Sequence, residues 1–146
     1  MYERTLMAGW GDMDFNSHMR NTAYLDKSAD LRMMYFADRG FPMSEFMRLK
    51  IGPVVMKDEV EYFREIHLLD AVRVTMMLSG LSEDGSRMKL RNDFYRDDVL
   101  AARVTSTAGW LDLAQRKLVC PPEALLQALR DANRSEDFQV LPNSRR

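Results

Sequence analysis

The hydrophobic pattern of this chain changes from a helical period to a strand period after its first third, and that change limits the folds open to it. Between Asn21 and Arg39, apolar and small residues recur every three to four positions, which predicts one long helix with a buried stripe. From about residue 60 to residue 110 the period is two, which is typical of strands with one buried face. The pattern predicts an α+β architecture in which an antiparallel sheet wraps around the helix.

Glycine, proline and turn residues suggest the element boundaries. Gly40 and Pro42 end the long helix, and Ser44 is a candidate cap for a short helical turn that precedes Gly52-Pro53. Four strands follow, with turns predicted at residues 82–85 and 96–98. Pro121-Pro122-Glu123 opens a short last helix, and the apolar stripe of this helix consists of Leu125, Leu126, Leu129 and Ala132. We therefore expect one domain over residues 1–132 and a polar C-terminal tail over residues 133–146.

Composition excludes several classes of protein. The chain has 146 residues, a size usual for one domain. Its 21 basic and 22 acidic residues nearly cancel, which argues against a nucleic-acid partner. A single cysteine, Cys120, excludes an intramolecular disulfide and a multi-thiolate zinc site, and with two histidines we expect no metal. The absence of a long apolar run and of a signal-peptide pattern predicts a cytoplasmic protein with no membrane partner.

The residues that precede the long helix are unusually rich in chemistry. Two carboxylates, two amides, a histidine and an arginine fall between Asp12 and Asn21. Asp, Asn and Ser are common caps, but a helix needs only one cap. The N–H groups at a helix start also stabilise an oxygen that becomes negative in a transition state. A carboxylate just upstream, at Asp14, could attack a carbonyl or deprotonate water, and His18 could orient or exchange a proton.

This region resembles a known family. The run Asp12-x-Asp14-x-Asn16-x-His18-x-x-Asn21-x-x-Tyr24-Leu25 resembles the signature of hot-dog-fold thioesterases of the 4-hydroxybenzoyl-CoA thioesterase type. Its Asp-x-Asn-x-His spacing is similar to that of the acyl-ACP thioesterases. A second segment, residues 60–65 followed by Asp70, resembles the strand that follows the central helix in those enzymes. Over residues 2–130 the resemblance implies a hot-dog fold, an antiparallel sheet wrapped around a long central helix, with a short C-terminal helix.

The resemblance also implies roles for individual residues. Asp14 would be the catalytic carboxylate, either as nucleophile or as general base. Asn16 and His18 match positions that assist water or orient the site, and the backbone N–H at Asn21 would polarise the thioester carbonyl. Glu65 matches an acidic position of the acyl-ACP branch.

That acidic position is followed by a cysteine in the acyl-ACP branch. Ile66 stands there in this chain, which excludes a cysteine nucleophile at that place.

Several residues are candidates for substrate binding. Tyr24 and Tyr62 lie in the two motif regions. Phe46 and Met47 either line an acyl channel as a lid or fill the core beside the helix. The basic residues of the strands either form a solvated face or contact the phosphates of coenzyme A; they are Arg87, Lys89, Arg91 and Arg103.

These observations together predict a thioesterase that hydrolyses an acyl-CoA, or an acyl-ACP, to a carboxylic acid and a thiol. Coenzyme A would enter only as part of the substrate, with no other cofactor. The family resemblance implies a homodimer with the site at its interface, or a tetramer.

Two alternatives stay open. One is a non-catalytic module that binds acyl thioesters. The other is a hot-dog hydratase of enoyl thioesters, whose spacing is Asp-x-Asn-x-x-His. Here His18 comes one residue earlier, which rotates a side chain on a helix start by roughly 100° and favours hydrolysis.

Overall fold

The computed structural model describes residues 1–144 and confirms the predicted α+β, hot-dog architecture. Within residues 1–144, seven strands and three α-helices follow one another. Their bounds are β1 Tyr2–Met7, α1 Asn21–Asp38, α2 Met43–Leu49, β2 Ile51–Tyr62, β3 Ala71–Ser82, β4 Arg87–Arg96, β5 Val99–Asp112, β6 Lys117–Val119, α3 Glu123–Asp131 and β7 Arg134–Leu141.

The seven strands form one sheet with α1 packed on its apolar face. The main strand order is β1-β3-β4-β5-β2, while β6 pairs with β5 and β7 pairs with β3. All pairs are antiparallel except β3–β7. The inward positions predicted for β3 are confirmed, because Val72, Val74, Met76 and Leu78 are buried, but Thr75 and Ser79 on the opposite face are buried as well.

The end of α1 and the start of α3 both lie where the predicted signals placed them. The helix α1 ends at Asp38, and Gly40 adopts a φ of 87°, a left-handed conformation that glycine tolerates without a Cβ clash. The helix α3 starts after Pro122, and Leu125, Leu126 and Leu129 are buried on its inner face.

The structure corrects the prediction around α2. Pro42, not Ser44, is the N-cap, and Ser44 lies inside the first turn of the helix. The strand β2 begins at Ile51 and runs straight through Gly52-Pro53. Proline is tolerated there because β2 is the edge of the sheet and pairs only with β5 among the described strands.

The segment expected to be a polar tail contains a strand. Residues 134–141 form β7, which runs parallel to the second half of β3 from Leu78 to Ser82. The strand β1 covers β3 only as far as Met76, so the later part of that edge is open to another strand. Backbone pairing to this open edge outweighs the weak apolar pattern of β7.

Polar residues that lie outside the apolar pattern of their strands form a hydrogen-bonded cluster with Arg32 of α1. The Arg32 guanidinium of α1 is buried, and it donates to Asn92 Oδ1 at 2.8 Å and to Ser106 Oγ at 2.7 Å. The Ser106 hydroxyl in turn donates to Asp58 on β2. Burial lowers the pKa of Arg32 to about 10, and the nearby Asp58 carboxylate opposes that shift. The cluster joins the central helix to three strands.

Candidate active site

A tight loop between β1 and α1 presents Asp14. Met13 and Met19 form an isolated antiparallel bridge, and the Asp14 N–H donates to the His18 carbonyl at 2.9 Å. The Ser17 N–H closes the turn on the Asp14 carbonyl at 3.2 Å, with Ser17 in a left-handed conformation at φ 67°. The loop therefore holds Asp14 at a defined corner just before the helix.

The two aspartates of the motif have different surroundings. Asp12 Oδ2 accepts the Gly9 N–H at 2.8 Å and lies 3.0 Å from the Lys27 ammonium. Partial burial opposes ionisation of Asp12, but the Gly9 N–H and Lys27 outweigh it, and the pKa of this carboxyl lies below its usual value. Asp12 is thus occupied by contacts that hold the loop together.

Asp14 is held by fewer contacts than Asp12 and is partly exposed. Its Oδ1 accepts the Asn16 N–H at 2.8 Å, and its Oδ2 lies 3.6 Å from Nδ1 of His18. The Asp14 side chain is 29% exposed. The carboxylate is therefore oriented by the turn and still accessible to a ligand.

Six of the thirteen predicted site residues lie around one cleft of about 530 Å³, here called the Asp14 cleft. The walls come from the Asp14 loop, the first turn of α1 and the segment from the end of β2 onward. The lining residues are Asp14, His18, Met19, Asn21, Tyr24, Tyr62, Phe63, Arg64 and Glu65. The structure thus brings together six predicted site residues from separate motifs.

The start of α1 opens into this cleft. Arg20 is the N-cap residue and makes no side-chain cap bond, while Asn21, the first residue of the helix, lines the cleft. The Asn21 side chain accepts the Thr22 N–H at 2.9 Å. Backbone donors at a helix start carry partial positive charge, so this end of the cleft can stabilise a developing oxyanion.

Aromatic rings form another wall. The ring of Tyr24 packs edge-on against Tyr62 and Phe94, with centroid distances of 5.3 and 5.2 Å. Burial raises the pKa of the Tyr24 phenol to about 12. Tyr24 is buried behind Tyr62, which is 54% exposed, so Tyr62 presents the apolar surface that a ligand would meet.

Sequence reasoning missed part of the lining. Phe63 and Arg64 belong to the second motif but carried no assigned role, although their position between Tyr62 and Glu65 was the available signal. The Met19 N–H donates to the Ile66 carbonyl at 2.7 Å. This hydrogen bond fastens the second motif to the Asp14 loop.

Other predicted residues lie away from the Asp14 cleft. Asn16 contributes its backbone N–H to Asp14 and does not line the cleft. Phe46 is 2% exposed and packs on Phe36, Phe41 and Trp110. Phe46 and Met47 line a separate apolar pocket of about 200 Å³.

The predicted phosphate-binding residues lie on strands β4 and β5. Lys89, Arg91 and Arg103 line a polar pocket of about 230 Å³ that does not include Asp14. The Arg91 side chain is 6% exposed and lies 3.4 Å from Asp137, and Arg103 lies 2.8 Å from Asp93. Arg87, also on β4, does not line that pocket. Two of the four cations are therefore already paired with acids.

The sequence profile of the thioesterase-like superfamily matches residues 8–129. That range is most of the chain and includes the Asp14 loop, α1 and the whole Asp14 cleft. The chain belongs to this superfamily, and the resemblance to hot-dog-fold thioesterases is confirmed. No curated protein matches the chain.

Solved structures share the fold at low sequence identity. A hypothetical protein of Staphylococcus aureus in complex with CoA has a TM-score of 0.82 and 18% identity, covering 94% of this chain and 89% of that one. A gentisyl-coenzyme A thioesterase has a TM-score of 0.78 and 16% identity, covering 87% and 98%. A 1,4-dihydroxy-2-naphthoyl-CoA thioesterase from Synechocystis has a TM-score of 0.79 and 13% identity, covering 89% and 96%. These similarities establish the fold.

Two kinds of feature are absent from the described residues. None of the helices in residues 1–144 is long and apolar enough to span a membrane. Over the same range, no group of three or more His, Cys, Asp or Glu side chains is placed to hold a metal ion.

Proposed function

We propose that this protein hydrolyses the thioester bond of an acyl-CoA and releases a carboxylic acid and free coenzyme A. One observation carries the proposal: a single cleft combines the oriented Asp14 carboxylate with the uncapped start of α1. Membership of the thioesterase-like superfamily supports thioester hydrolysis. A similar structure solved with CoA, and another named a gentisyl-coenzyme A thioesterase, support coenzyme A as the carrier.

Asp14 acts in this proposal as a general base or as a nucleophile. As a base, its carboxylate takes a proton from water while the water oxygen attacks the thioester carbonyl. The tetrahedral oxyanion is stabilised by the N–H of Asn21 and then collapses, breaking the C–S bond. The thiolate leaves and takes the proton back from Asp14, so the enzyme returns to its starting state.

In the nucleophilic variant, the Asp14 carboxylate itself attacks the carbonyl and expels the thiolate, which forms a mixed anhydride. Water then attacks the anhydride, and the acid is released with one proton passed to the solvent. A single turnover in water labelled with heavy oxygen tests the nucleophilic route. Label enters the Asp14 side chain only if an anhydride forms and water attacks it at the enzyme carbonyl, whereas attack of water on the acyl carbon by either route labels the product acid.

That case is decided by the order of product release. In a single turnover, thiol released before the acid shows an acylated enzyme, whereas thiol and acid released at the same rate support the base route.

The other lining residues have supporting roles. His18 orients the attacking water or passes its proton, since its ring lies beside Asp14. Glu65, the second carboxylate that lines the cleft, helps to hold that water. Tyr62 and Tyr24 provide the aromatic surface for the acyl group. Asn16 acts through its backbone N–H, which orients Asp14.

Binding of the carrier is the less constrained part of the proposal. Of the four basic residues on β4 and β5, Arg91 and Arg103 already pair with acids. Lys89 and Arg87 are therefore the better candidates for binding CoA phosphates. An acyl-ACP would need a protein-docking surface instead. The reaction as proposed uses no group beyond coenzyme A itself. Comparing turnover of an acyl-CoA with that of the same acyl group on ACP separates the carriers.

We also propose that the working unit is a homodimer joined through β2. This twelve-residue strand lies at the edge of the sheet, and Val55 and Met56 on it are exposed. Because β2 ends at Tyr62 in the Asp14 cleft, a partner paired along it would lie next to the site. Light scattering of the purified protein tests this: a dimer is expected, a tetramer would add a second interface, and a monomer would contradict it.

A thiol-release assay over a panel of acyl-CoAs tests the function. Hydrolysis predicts release of free thiol by the wild-type protein. Loss of enoyl absorbance without free thiol would indicate a hydratase. Binding of acyl-CoA with no turnover would indicate a binding module.

A further inference from the structure

The segment between β2 and β3 carries a second group of ionisable side chains beside the Asp14 cleft. Glu65 lines the cleft, and its Oε2 lies 3.2 Å from Nε2 of His67. On the other side of the ring, Nδ1 of His67 lies 3.3 Å from Nη1 of Arg96, a residue of β4. One imidazole therefore links an acid of the cleft wall to a guanidinium held by the sheet.

The two neighbours of the His67 ring determine which nitrogen carries the proton. A guanidinium only donates hydrogen bonds, so Nδ1 must accept from Arg96. Nε2 then carries the proton and donates it to Glu65. Asp70 does not compete for Nδ1, because its Oδ2 is 3.8 Å away and already accepts the His67 N–H at 2.7 Å.

The backbone around this link is fixed relative to Asp14. The Ile66 carbonyl accepts the Met19 N–H, and Arg96 also donates to the Glu65 carbonyl. The Glu65 side chain is 64% exposed, so without a partner it would sample several rotamers. The contact with His67 is what limits the position of its carboxylate.

We propose that His67 is a positioning residue: Arg96 holds it in the Nε2–H form, and it fixes the Glu65 carboxylate on the wall of the Asp14 cleft. This inference rests on the proposed hydrolase function. Exposed ion pairs contribute little to the free energy of unfolding. Replacing His67 should therefore change kcat rather than Tm or KM.

Two substitutions separate the two sides of the ring. The amide nitrogen of His67→Gln reaches the place of Nε2 and can still donate to Glu65, whereas the shorter amide of His67→Asn reaches only the Arg96 side. We expect His67→Gln to keep kcat within about twofold, and His67→Asn to lower kcat about tenfold with KM little changed. Glu65→Gln should lower kcat to a similar degree. The double variant His67→Asn/Glu65→Gln should then be no worse than either single variant.

Glu45→Gln is the matched control, since it removes a half-buried acid paired with Arg48 on α2, away from the Asp14 cleft. It should leave kcat unchanged. If His67→Asn keeps the wild-type kcat while Asp14→Asn loses it, the positioning role is wrong and the proposed function stands. Equal loss in His67→Gln and His67→Asn would also contradict the role.

The tautomer is measured without any substrate. The chain contains only two histidines, so nitrogen-15 spectra of the rings are assigned by comparing the wild type with His18→Gln. At about pH 8, above the usual titration range of imidazole, His67 should show the Nε2–H form. An Nδ1–H or doubly protonated ring would overturn the inference. The Nε2–H form in a protein that releases no thiol would instead count against the proposed function alone.

Discussion

Oδ2 of Asp14 lies 3.6 Å from Nδ1 of His18, while Oδ1 of the same carboxylate accepts the Asn16 N–H at 2.8 Å. The backbone contact is a hydrogen bond, whereas the contact with the ring is too long to be one. Nδ1 of His18 lies closer to the Met19 carbonyl, at 3.3 Å. The turn therefore orients Asp14, and the ring beside it remains available to a water or a substrate.

Replacing Asp14 by Asn should abolish most of the thioesterase activity. The amide keeps the size of the side chain but can neither take a proton from water nor attack a carbonyl, so kcat should fall about 100-fold or more. Thiol release from acyl-CoA measures the loss, and thermal unfolding should show little change in Tm. A folded Asp14→Asn protein with wild-type turnover would refute the assignment.

His18→Ala should impair turnover less than Asp14→Asn. The ring orients water or relays a proton, and losing that help should lower kcat about tenfold. The two variants are compared in the same thiol-release assay at saturating acyl-CoA. If the His18 variant proved as damaged as the Asp14 variant, the roles of the two residues would need to be exchanged.

Asp12→Asn should lower stability and leave the chemistry intact. The folded protein holds the pKa of Asp12 below its usual value of 3.8, so the ionised group stabilises the fold above that pH. We expect a loss of about 1.5 kcal/mol near neutral pH, the usual contribution of a hydrogen bond to a charged group. Denaturant unfolding of both proteins checks this.

The stability difference between wild type and Asp12→Asn should shrink as the pH falls through the folded pKa of Asp12, because the wild-type carboxyl is then protonated too. A difference that stays constant down to acidic pH would show that ionisation of Asp12 does not stabilise the fold.

Arg32→Met should destabilise the fold through the partners it leaves behind. Asn92 and Ser106 lose the hydrogen bonds that Arg32 donates to them, which should lower the free energy of unfolding by about 3 kcal/mol. The triple variant Arg32→Met/Asn92→Leu/Ser106→Ala removes both unpaired groups. Asp58 loses the Ser106 hydroxyl in this variant, but Asp58 is exposed and water can replace that donor, so most of the loss should be recovered. Denaturant midpoints test this, and a triple variant no more stable than Arg32→Met would contradict it.

Tyr62→Ala should weaken binding of the acyl group. Removing the exposed ring from the cleft takes away apolar contact, and we expect KM for acyl-CoA to rise about tenfold with a smaller change in kcat. Tyr62→Phe keeps the ring and is the control, with kinetics near wild type. An unchanged KM in Tyr62→Ala would place the acyl group elsewhere.

Local signals predicted the parts of the fold that depend on local physics. Gly40 follows the end of α1 because a left-handed position after a helix favours glycine. Pro122 precedes α3 because proline has no N–H and a fixed φ, so it is tolerated at the start of a helix but not inside one. The motif before α1 predicted Asp14 and His18 together because four residues of one tight loop cannot separate far. Two predicted boundaries were wrong: Pro42, not Ser44, caps α2, and β2 begins at Ile51 rather than near residue 60, because pairing with β5 extends this edge strand through the Gly52-Pro53 turn signal.

The sequence by itself determined the long helix, the antiparallel strands, and the place of the acidic motif at the helix start, since each follows from periodicity or from contacts within a few residues. Only the tertiary structure decided what those segments meet. It put Glu65 on the same cleft as Asp14 through the hydrogen bond from Met19 to Ile66, and it placed Phe46 in the core instead. It also turned a polar tail into β7, because β3 had an open edge there. Such pairings depend on residues distant along the chain, and no local pattern encodes them.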